Sequence, residues 1–241
     1  MTQINDHLVL ICGKSGVGKT ASLKSLKNPE GVMYLNCESG KRTPFKANFK
    51  QYTISDPMQI YEAFTAAESM PNIHTIVVDS LSMLMELYES VYVINSSNTM
   101  KAWGDYAQYF KNLMQQYVAK STKRVIFTAH VADSLNESEM VVETKVPVKG
   151  SLKGVSLEAY FSVIVYAKKV SCKTLKNFKS SLLNISPDEE ALDYKHVYQC
   201  RITKETINER IRGPMGMFSQ QETYIDNDAQ LLLDRLEEYY A

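Results

Sequence analysis

The sequence contains a glycine-rich phosphate-binding motif close to its start, within HLVLICGKSGVGKTASLKSL at residues 7–26. The spacing is G-x-x-x-x-G-K-[ST], in which the glycines let successive backbone N–H groups point inward at phosphate oxygens. In this motif Lys19 reaches the β- and γ-phosphates, and the Thr20 hydroxyl can ligate Mg²⁺. The motif follows a predicted strand and opens a predicted helix, which is the context that it requires. The predicted nucleotide-binding residues of the motif are Gly13, Lys14, Ser15, Gly16, Val17, Gly18, Lys19 and Thr20.

Three further polar side chains stand where predicted strands end. Asp79 closes TIVVD and is predicted to bind the nucleotide's Mg²⁺ together with Thr20. Glu38, in MYLNCES, is placed to orient or deprotonate an attacking water, and His130 closes RVIFTAH, where it can contact the γ-phosphate. Each has a simpler alternative: a helix cap for Asp79, a solvated loop residue for Glu38 and a structural histidine for His130.

Apolar runs that alternate with helical patterns predict the elements that position these groups. The alternation favours an α/β fold with a mostly parallel central sheet flanked by helices. The predicted strands in this part are 7–12, 32–37, 51–54, 75–79 and 124–128, and the predicted helices include 19–27 and 81–93.

The pattern changes after residue 130. Residues 131–149 are polar and predict a loop, and the strands that follow are joined by loops rather than long helices, so the sheet is predicted to finish antiparallel. These later strands are 160–166, 197–203 and 222–225, and a last helix follows 226–228. No second domain boundary is visible, and residues 1–241 are predicted to form a single domain.

Charge and cysteine content limit the function classes. Lys+Arg and Asp+Glu both total 27, so any nucleic acid must be held by a local strip or loop rather than by net charge. There is no long apolar run and no signal-peptide pattern, which predicts a cytoplasmic protein without a membrane role. The four cysteines have no metal-ligand spacing, and Cys12 and Cys37 are predicted to be buried, reduced thiols.

With these residues in place, the sequence resembles a RecA-type recombinase core from about residue 7 to about residue 225. Glu38 in NCESG matches the family's catalytic glutamate, Asp79 in VVDSLSML its magnesium-site aspartate and His130 in VIFTAH its γ-phosphate sensor. The resemblance implies a RecA-like P-loop NTPase core that binds and hydrolyses ATP with Mg²⁺.

The resemblance also implies DNA-binding loops. RecA-like proteins carry two such loops, and the polar break at 95–101 and the segment 131–149 fall at their positions. The candidate contacts to single-stranded DNA in and after these segments are Lys101, Lys145, Lys149 and Lys153. Ordinary solvated surface is the alternative for each lysine.

A later segment, TKETINERIRGPMGMF, resembles the part of RecA-like proteins that presents basic residues to the neighbouring subunit's ATP. Arg210 and Arg212 are the candidates here, and either one could take this trans role. The implied assembly is a homo-oligomer, as a filament or a ring.

The ending of the chain, with its Pro-Met-Gly-Met-Phe turn and YIDND segment, is similar to short phage-encoded RecA-core ATPases of the Sak type. That group implies an ATPase stimulated by single-stranded DNA that supports annealing or strand exchange in the host cytoplasm, with a single-strand DNA-binding protein as a possible partner. A hexameric helicase or motor would share Lys19, Glu38 and Asp79. A small-molecule kinase ranks last, because the late region carries few arginines for a lid.

Overall fold

A computed structural model describes residues 5–154 and 157–241, and its main element is a sheet of eight strands. The described residues form ten strands, eight in this sheet and two, β6 and β7, in a separate hairpin. In chain order they are β1 (Leu8–Gly13), β2 (Val32–Asn36), β3 (Lys50–Thr53), β4 (Thr75–Asp79), β5 (Arg124–His130), β6 (Ala132–Asn136), β7 (Val141–Lys145), β8 (Val163–Ser171), β9 (Tyr194–Gln199) and β10 (Tyr224–Asp226). The α-helices are α1 (Gln59–Glu68), α2 (Leu81–Tyr88), α3 (Thr99–Asn112), α4 (Cys172–Leu175), α5 (Pro187–Leu192) and α6 (Ala229–Tyr240).

The strand order is β10-β9-β8-β1-β5-β4-β2-β3. Every pairing from β8 across to β3 is parallel, whereas β9 runs antiparallel to β8 and β10 runs antiparallel to β9. The predicted α/β fold, with a mostly parallel sheet and an antiparallel finish, is confirmed. The register pairs Gly13 of β1 with His130 of β5 and Asn36 of β2 with Asp79 of β4, so the carboxyl ends of these four strands meet along one edge.

The alternation of side chains along the buried strands divides the core between the two faces of the sheet. On β1, Leu8, Leu10 and Cys12 pack with the layer that contains α1, α2 and α3, while Val9 and Ile11 pack with the layer that contains α6. Strands buried on both faces must be apolar throughout, and all six residues of β1 are buried. This burial fixes the strand ends, and with them the loops that carry the polar residues.

The segment after the phosphate-binding motif differs from the prediction. A helix was expected over residues 19–27, but the chain forms a five-residue 3₁₀ turn, Ala21–Ser25. Hydroxyl groups compete with helical hydrogen bonds here, because Ser22 Oγ donates to the Lys19 carbonyl (2.6 Å) and Ser25 Oγ donates to the Ser22 carbonyl (3.0 Å). The Asn-Pro-Glu-Gly sequence that follows leaves too few residues for propagation to offset helix nucleation.

Residues 131–149 also differ from the prediction of a loop. Strands β6 and β7 form a separate antiparallel hairpin in which Ala132 pairs with Lys145 and Asn136 pairs with Val141. The alternation of a two-stranded ribbon was hidden in the sequence by its many polar residues, because both faces of the hairpin are largely solvated.

Two further observations concern membrane-spanning helices and the state of the cysteines. Within residues 5–154 and 157–241, no helix combines the length and the apolar character needed to cross a bilayer. All four cysteines are free and buried, which agrees with the prediction for Cys12 and Cys37.

Candidate nucleotide-binding site

The phosphate loop begins at Gly13, where β1 ends, and curls around the side chain of Lys19. Only 6% of Lys19 is exposed, so its ammonium must find acceptors inside the protein. Its Nζ donates to the carbonyl oxygens of Gly13 and Lys14, both at 2.9 Å, and lies 3.3 Å from Nδ1 of His130. Burial lowers the pKa of this ammonium, while the nearby carboxylates of Asp79 and Glu38 oppose that shift.

The C-terminal strands hold the phosphate loop from its other side. His196 on β9 lies with Nδ1 2.9 Å from the Val17 carbonyl, which fixes the ring proton on Nδ1, and Asn227 donates through Nδ2 to the Gly18 carbonyl (3.0 Å). Gly18 has a φ of +94°, and a Cβ there would lie 2.6 Å from Asn227 Nδ2. Glycine is therefore required at this position by both backbone conformation and space.

Asp79 is the most enclosed carboxylate of the site, with 1% of the residue exposed. Its Oδ2 accepts hydrogen bonds from the hydroxyls of Thr20 (2.8 Å) and Tyr34 (2.7 Å), and its Oδ1 accepts one from Thr128. These hydroxyls satisfy a charge that would otherwise be costly to bury. Burial, followed by the charge of Asp79, raises the pKa of the Tyr34 hydroxyl, so this residue remains a neutral donor.

The donor set at this point fits Mg²⁺. A magnesium ion takes oxygen ligands and keeps several waters, so one or two protein oxygens are enough to hold it beside nucleotide phosphates. Because Thr20 donates its proton to Asp79, the lone pairs of the Thr20 oxygen are left for a metal, and Asp79 supplies the negative charge. Thr20 and Asp79 would hold the ion, as the sequence predicts.

Glu38 and His130 meet at the same edge of the sheet. His130 Nε2 lies 3.2 Å from Glu38 Oε1, and its Nδ1 faces the Lys19 ammonium. Since a carboxylate can only accept and an ammonium can only donate, both contacts are satisfied by neutral histidine with its proton on Nε2. Ser82 at the start of α2 fixes the strand end, because its Oγ accepts from the His130 backbone N–H at 2.9 Å.

Lys41, which follows Glu38 by three residues, completes this row of groups. Its Nζ lies 2.9 Å from Glu38 Oε2. Burial raises the pKa of the Glu38 carboxyl, but hydrogen bonds from Lys41 and His130 outweigh it and hold that pKa below its ordinary value. The carboxylate is therefore ionised at neutral pH, as a proton acceptor must be.

These groups surround one cavity of about 700 Å³. Its lining includes the phosphate loop, Asp79, Glu38 and His130, and also Arg42, Pro44, His196 and the residues after β10. The volume is within the range of small-molecule sites. Of the predicted residues, the cavity lining contains Ser15, Gly16, Gly18, Lys19, Thr20, Asp79, Glu38 and His130, whereas Gly13, Lys14 and Val17 are not among the described residues that line it.

The two predicted trans arginines lie elsewhere and do not line this cavity within the residues that the structure describes. Arg210 is exposed and pairs with Glu143 of β7 (3.1 Å). Arg212 donates to the backbone carbonyls of Glu158 and Phe161 and so also supports the local fold.

The four predicted DNA-contacting lysines fall into two classes. Two of them form ion pairs inside the chain, Lys145 with Glu143 (3.0 Å) and Lys149 with Glu89 (2.7 Å). The other two, Lys101 and Lys153, are exposed and form no ion pair within the part of the chain that the structure describes.

Sequence reasoning missed five residues of the site, namely Tyr34, Lys41, Thr128, His196 and Asn227. Thr128 could have been found, because it precedes the predicted histidine by two residues and so lies on the same side of β5. Tyr34 could have been found by the same reasoning about which side chains share one side of a strand, here β2. The sequence gives no signal for His196, and Asn227 was interpreted only as part of a helix cap, which Asp228 provides.

Fold and site together define a P-loop nucleotide-binding α/β domain. A family model described as an AAA domain matches residues 6–191, which is most of the chain. The chain therefore belongs to this family of P-loop ATPases. Among curated proteins, none matches the chain.

The contacts of Lys19 predict the effect of removing its charge. The variant Lys19→Ala should remain folded but lose at least about 100-fold in ATP affinity, since charge-assisted hydrogen bonds contribute about 1.5–3 kcal/mol each. Titration of a fluorescent ATP analogue, with circular dichroism as the folding check, measures this. Lys24→Ala, an exposed lysine in the next turn, is the matched control and should bind like the wild type. Equal affinity of Lys19→Ala and Lys24→Ala would contradict the assignment of the loop.

Proposed function

We propose that this chain is a RecA-like recombinase core that hydrolyses ATP and acts on single-stranded DNA, in annealing or strand exchange of the phage type. The observation that carries the ATPase part is the row of contacts from Lys19 through His130 to Glu38, in the same cavity as Thr20 and Asp79. A binding protein without turnover does not need an ionised carboxylate facing its phosphate loop.

In the proposed reaction, Glu38 accepts a proton from a water that attacks the γ-phosphorus. The bond between that phosphorus and the oxygen of the β-phosphate breaks, which gives ADP and inorganic phosphate. Lys19 and the loop amides hold the phosphates in place. Bound Mg²⁺ would neutralise phosphate charge from its position at Thr20 and Asp79. His130 contacts both Lys19 and Glu38, so it is placed to respond to a γ-phosphate between them.

Glu38→Gln should therefore keep ATP affinity and lose hydrolysis by about two to four orders of magnitude, the range expected for a general base. Phosphate release under saturating ATP gives the rate, and a fluorescent analogue gives the affinity. The control is Glu30→Gln, an exposed carboxylate outside the cavity. Turnover of Glu38→Gln close to that of Glu30→Gln would show that another group activates the water.

The DNA part of the proposal is supported by the way two distant segments meet. Lys149 pairs with Glu89, which lies just before the polar break at 95–101. Gly150 packs against Trp103 of α3, where an added Cβ would lie 3.0 Å from the indole. The flanks of the two segments that resemble DNA-binding loops are therefore in contact, and an exposed lysine lies on each side, Lys101 at the end of the first segment and Lys153 four residues after the second.

If these lysines contact DNA phosphates, Lys101→Ala/Lys153→Ala should weaken binding to single-stranded DNA equally for all sequences. The slope of log K against log salt should fall by about 0.7 for each phosphate that is no longer neutralised. Fluorescence anisotropy at several salt concentrations measures this, with Lys24→Ala/Lys120→Ala as the control for exposed lysines outside both segments. The ATPase rate of the wild type should rise with single-stranded DNA.

Electron micrographs of the same mixtures distinguish the assemblies. Filaments on single-stranded DNA would support a recombinase, and rings on forked DNA would support the hexameric motor instead. No binding of the wild type to single-stranded DNA, or binding by the double variant with an unchanged salt slope, would contradict the role of these lysines.

Assembly also enters the proposal through Arg210 and Arg212. A cation from a neighbouring subunit could stabilise the charge that develops on the γ-phosphate, an effect that reaches about 10³–10⁵-fold in arginine-finger enzymes. Arg210 is the better candidate, because its guanidinium is on the surface with one carboxylate partner, whereas Arg212 is bonded to backbone carbonyls of its own chain.

The trans role predicts complementation between inactive subunits. Lys19→Ala keeps Arg210, and Arg210→Ala keeps the phosphate loop, so mixing the two should restore part of the ATPase activity. The rate of the wild type should also rise steeply with protein concentration. Arg212→Lys, which keeps a cation at the structural position, serves as the control. A mixture that stays inactive although both variants fold and co-assemble would rule out the trans role of Arg210.

A further inference from the structure

The chain makes a tight turn immediately after Glu38. The Lys41 backbone N–H donates to the Glu38 carbonyl (3.0 Å), which closes a four-residue turn. Its central residues, Ser39 and Gly40, have φ values of 53° and 76°, the left-handed pattern of a type I′ turn. Such a conformation is uncommon for serine, so the surrounding structure must hold it.

Asn36, the last residue of β2, holds this turn at both ends. Its Oδ1 accepts from the Glu38 backbone N–H (2.9 Å), and its Nδ2 donates to the Lys41 carbonyl (2.8 Å). The Asn36 side chain is buried, and both halves of its amide are used in these contacts. The backbone positions of Glu38 and Lys41 are thus fixed relative to each other by a buried group.

This fixed turn brings a cation onto the carboxylate of Glu38. The Lys41 ammonium lies 2.9 Å from Oε2, and the side chains of Lys41 and Glu38 are 70% and 14% exposed. An ion pair with so exposed a partner contributes little to the stability of the fold. Its effect is instead expected on the orientation of the carboxylate, because the second oxygen, Oε1, is left facing His130.

We propose that Lys41 is a positioning residue for Glu38, and that its ammonium holds the carboxylate in the orientation required for water activation. This inference rests on the proposed function, in which Glu38 is the general base. Among the residues that the structure describes, the Glu38 carboxylate is then left with its contact to His130 and can rotate away from the phosphate loop. Misplacement of a reacting group by about 1 Å can cost about 100-fold in rate.

The experiment compares Lys41→Met, Lys41→Arg and Lys46→Met, the last being an exposed lysine on the same loop that is absent from the cavity lining. Lys41→Met should lower kcat by about 10- to 100-fold, with KM for ATP within about twofold of the wild type. Lys41→Arg should restore most of the rate, and Lys46→Met should leave it unchanged.

The pH dependence of kcat gives a second readout. Lys41 contributes to the low pKa of Glu38, so its loss should raise that pKa. Because the base acts only when ionised, the acidic limb of the profile should move to higher pH in Lys41→Met and stay in place in Lys41→Arg. The other ionisable groups that act on or face Glu38 are unchanged in these variants, and they are His130, Lys19, Tyr34 and Cys37.

A double variant separates the two proposals. In the Glu38→Gln background, Lys41→Met should add no further loss, because the group that it positions is already absent. If Glu38→Gln is inactive but Lys41→Met matches Lys46→Met in both rate and pH profile, the positioning role is overturned and Glu38 remains the base. If Glu38→Gln is as active as the wild type, both the proposed base and the role of Lys41 are overturned.

Discussion

The buried ammonium of Lys19 sets the conditions for the rest of the site. A charge enclosed to this degree needs an acceptor for each of its protons, and the loop carbonyls and His130 provide them. His130 then has one nitrogen committed to Lys19, so the other is fixed as a donor toward Glu38. A single desolvated charge thereby determines the tautomer of one residue and favours the ionised form of another.

The contacts around Asp79 solve the same problem for the opposite charge. Three hydroxyls, from the phosphate loop, β2 and β5, point at its two oxygens. Hydroxyl donors satisfy the carboxylate without neutralising it, so its negative charge remains available to a metal ion. The two buried charges, Lys19 and Asp79, are thus supported by different means, since carbonyls and an imidazole serve one and neutral hydroxyls the other.

Much of the site could be predicted from the sequence because it follows from the geometry of parallel strands. Asp79 and His130 end strands whose carboxyl ends share one edge, Glu38 lies two residues after a third strand of that edge, and the phosphate loop follows a fourth. The parts that could not be predicted depend on side-chain directions or on distant pairings. Asn227 lies 209 residues from its partner Gly18, and nothing in the local pattern of either residue indicates that contact. The hairpin of β6 and β7 and the short turn after Lys19 were not predicted because polar side chains there compete with the periodic signals.

The two antiparallel strands, β9 and β10, and the residue that follows them support the backbone of the phosphate loop. The family match ends at residue 191, yet the donors to the Val17 and Gly18 carbonyls come from His196 and Asn227. A fragment that stopped at residue 191 would contain every residue of the phosphate-binding motif but would lack the strands that brace its backbone. The part of the chain that holds the phosphate loop in place therefore extends beyond the segment that the family model matches.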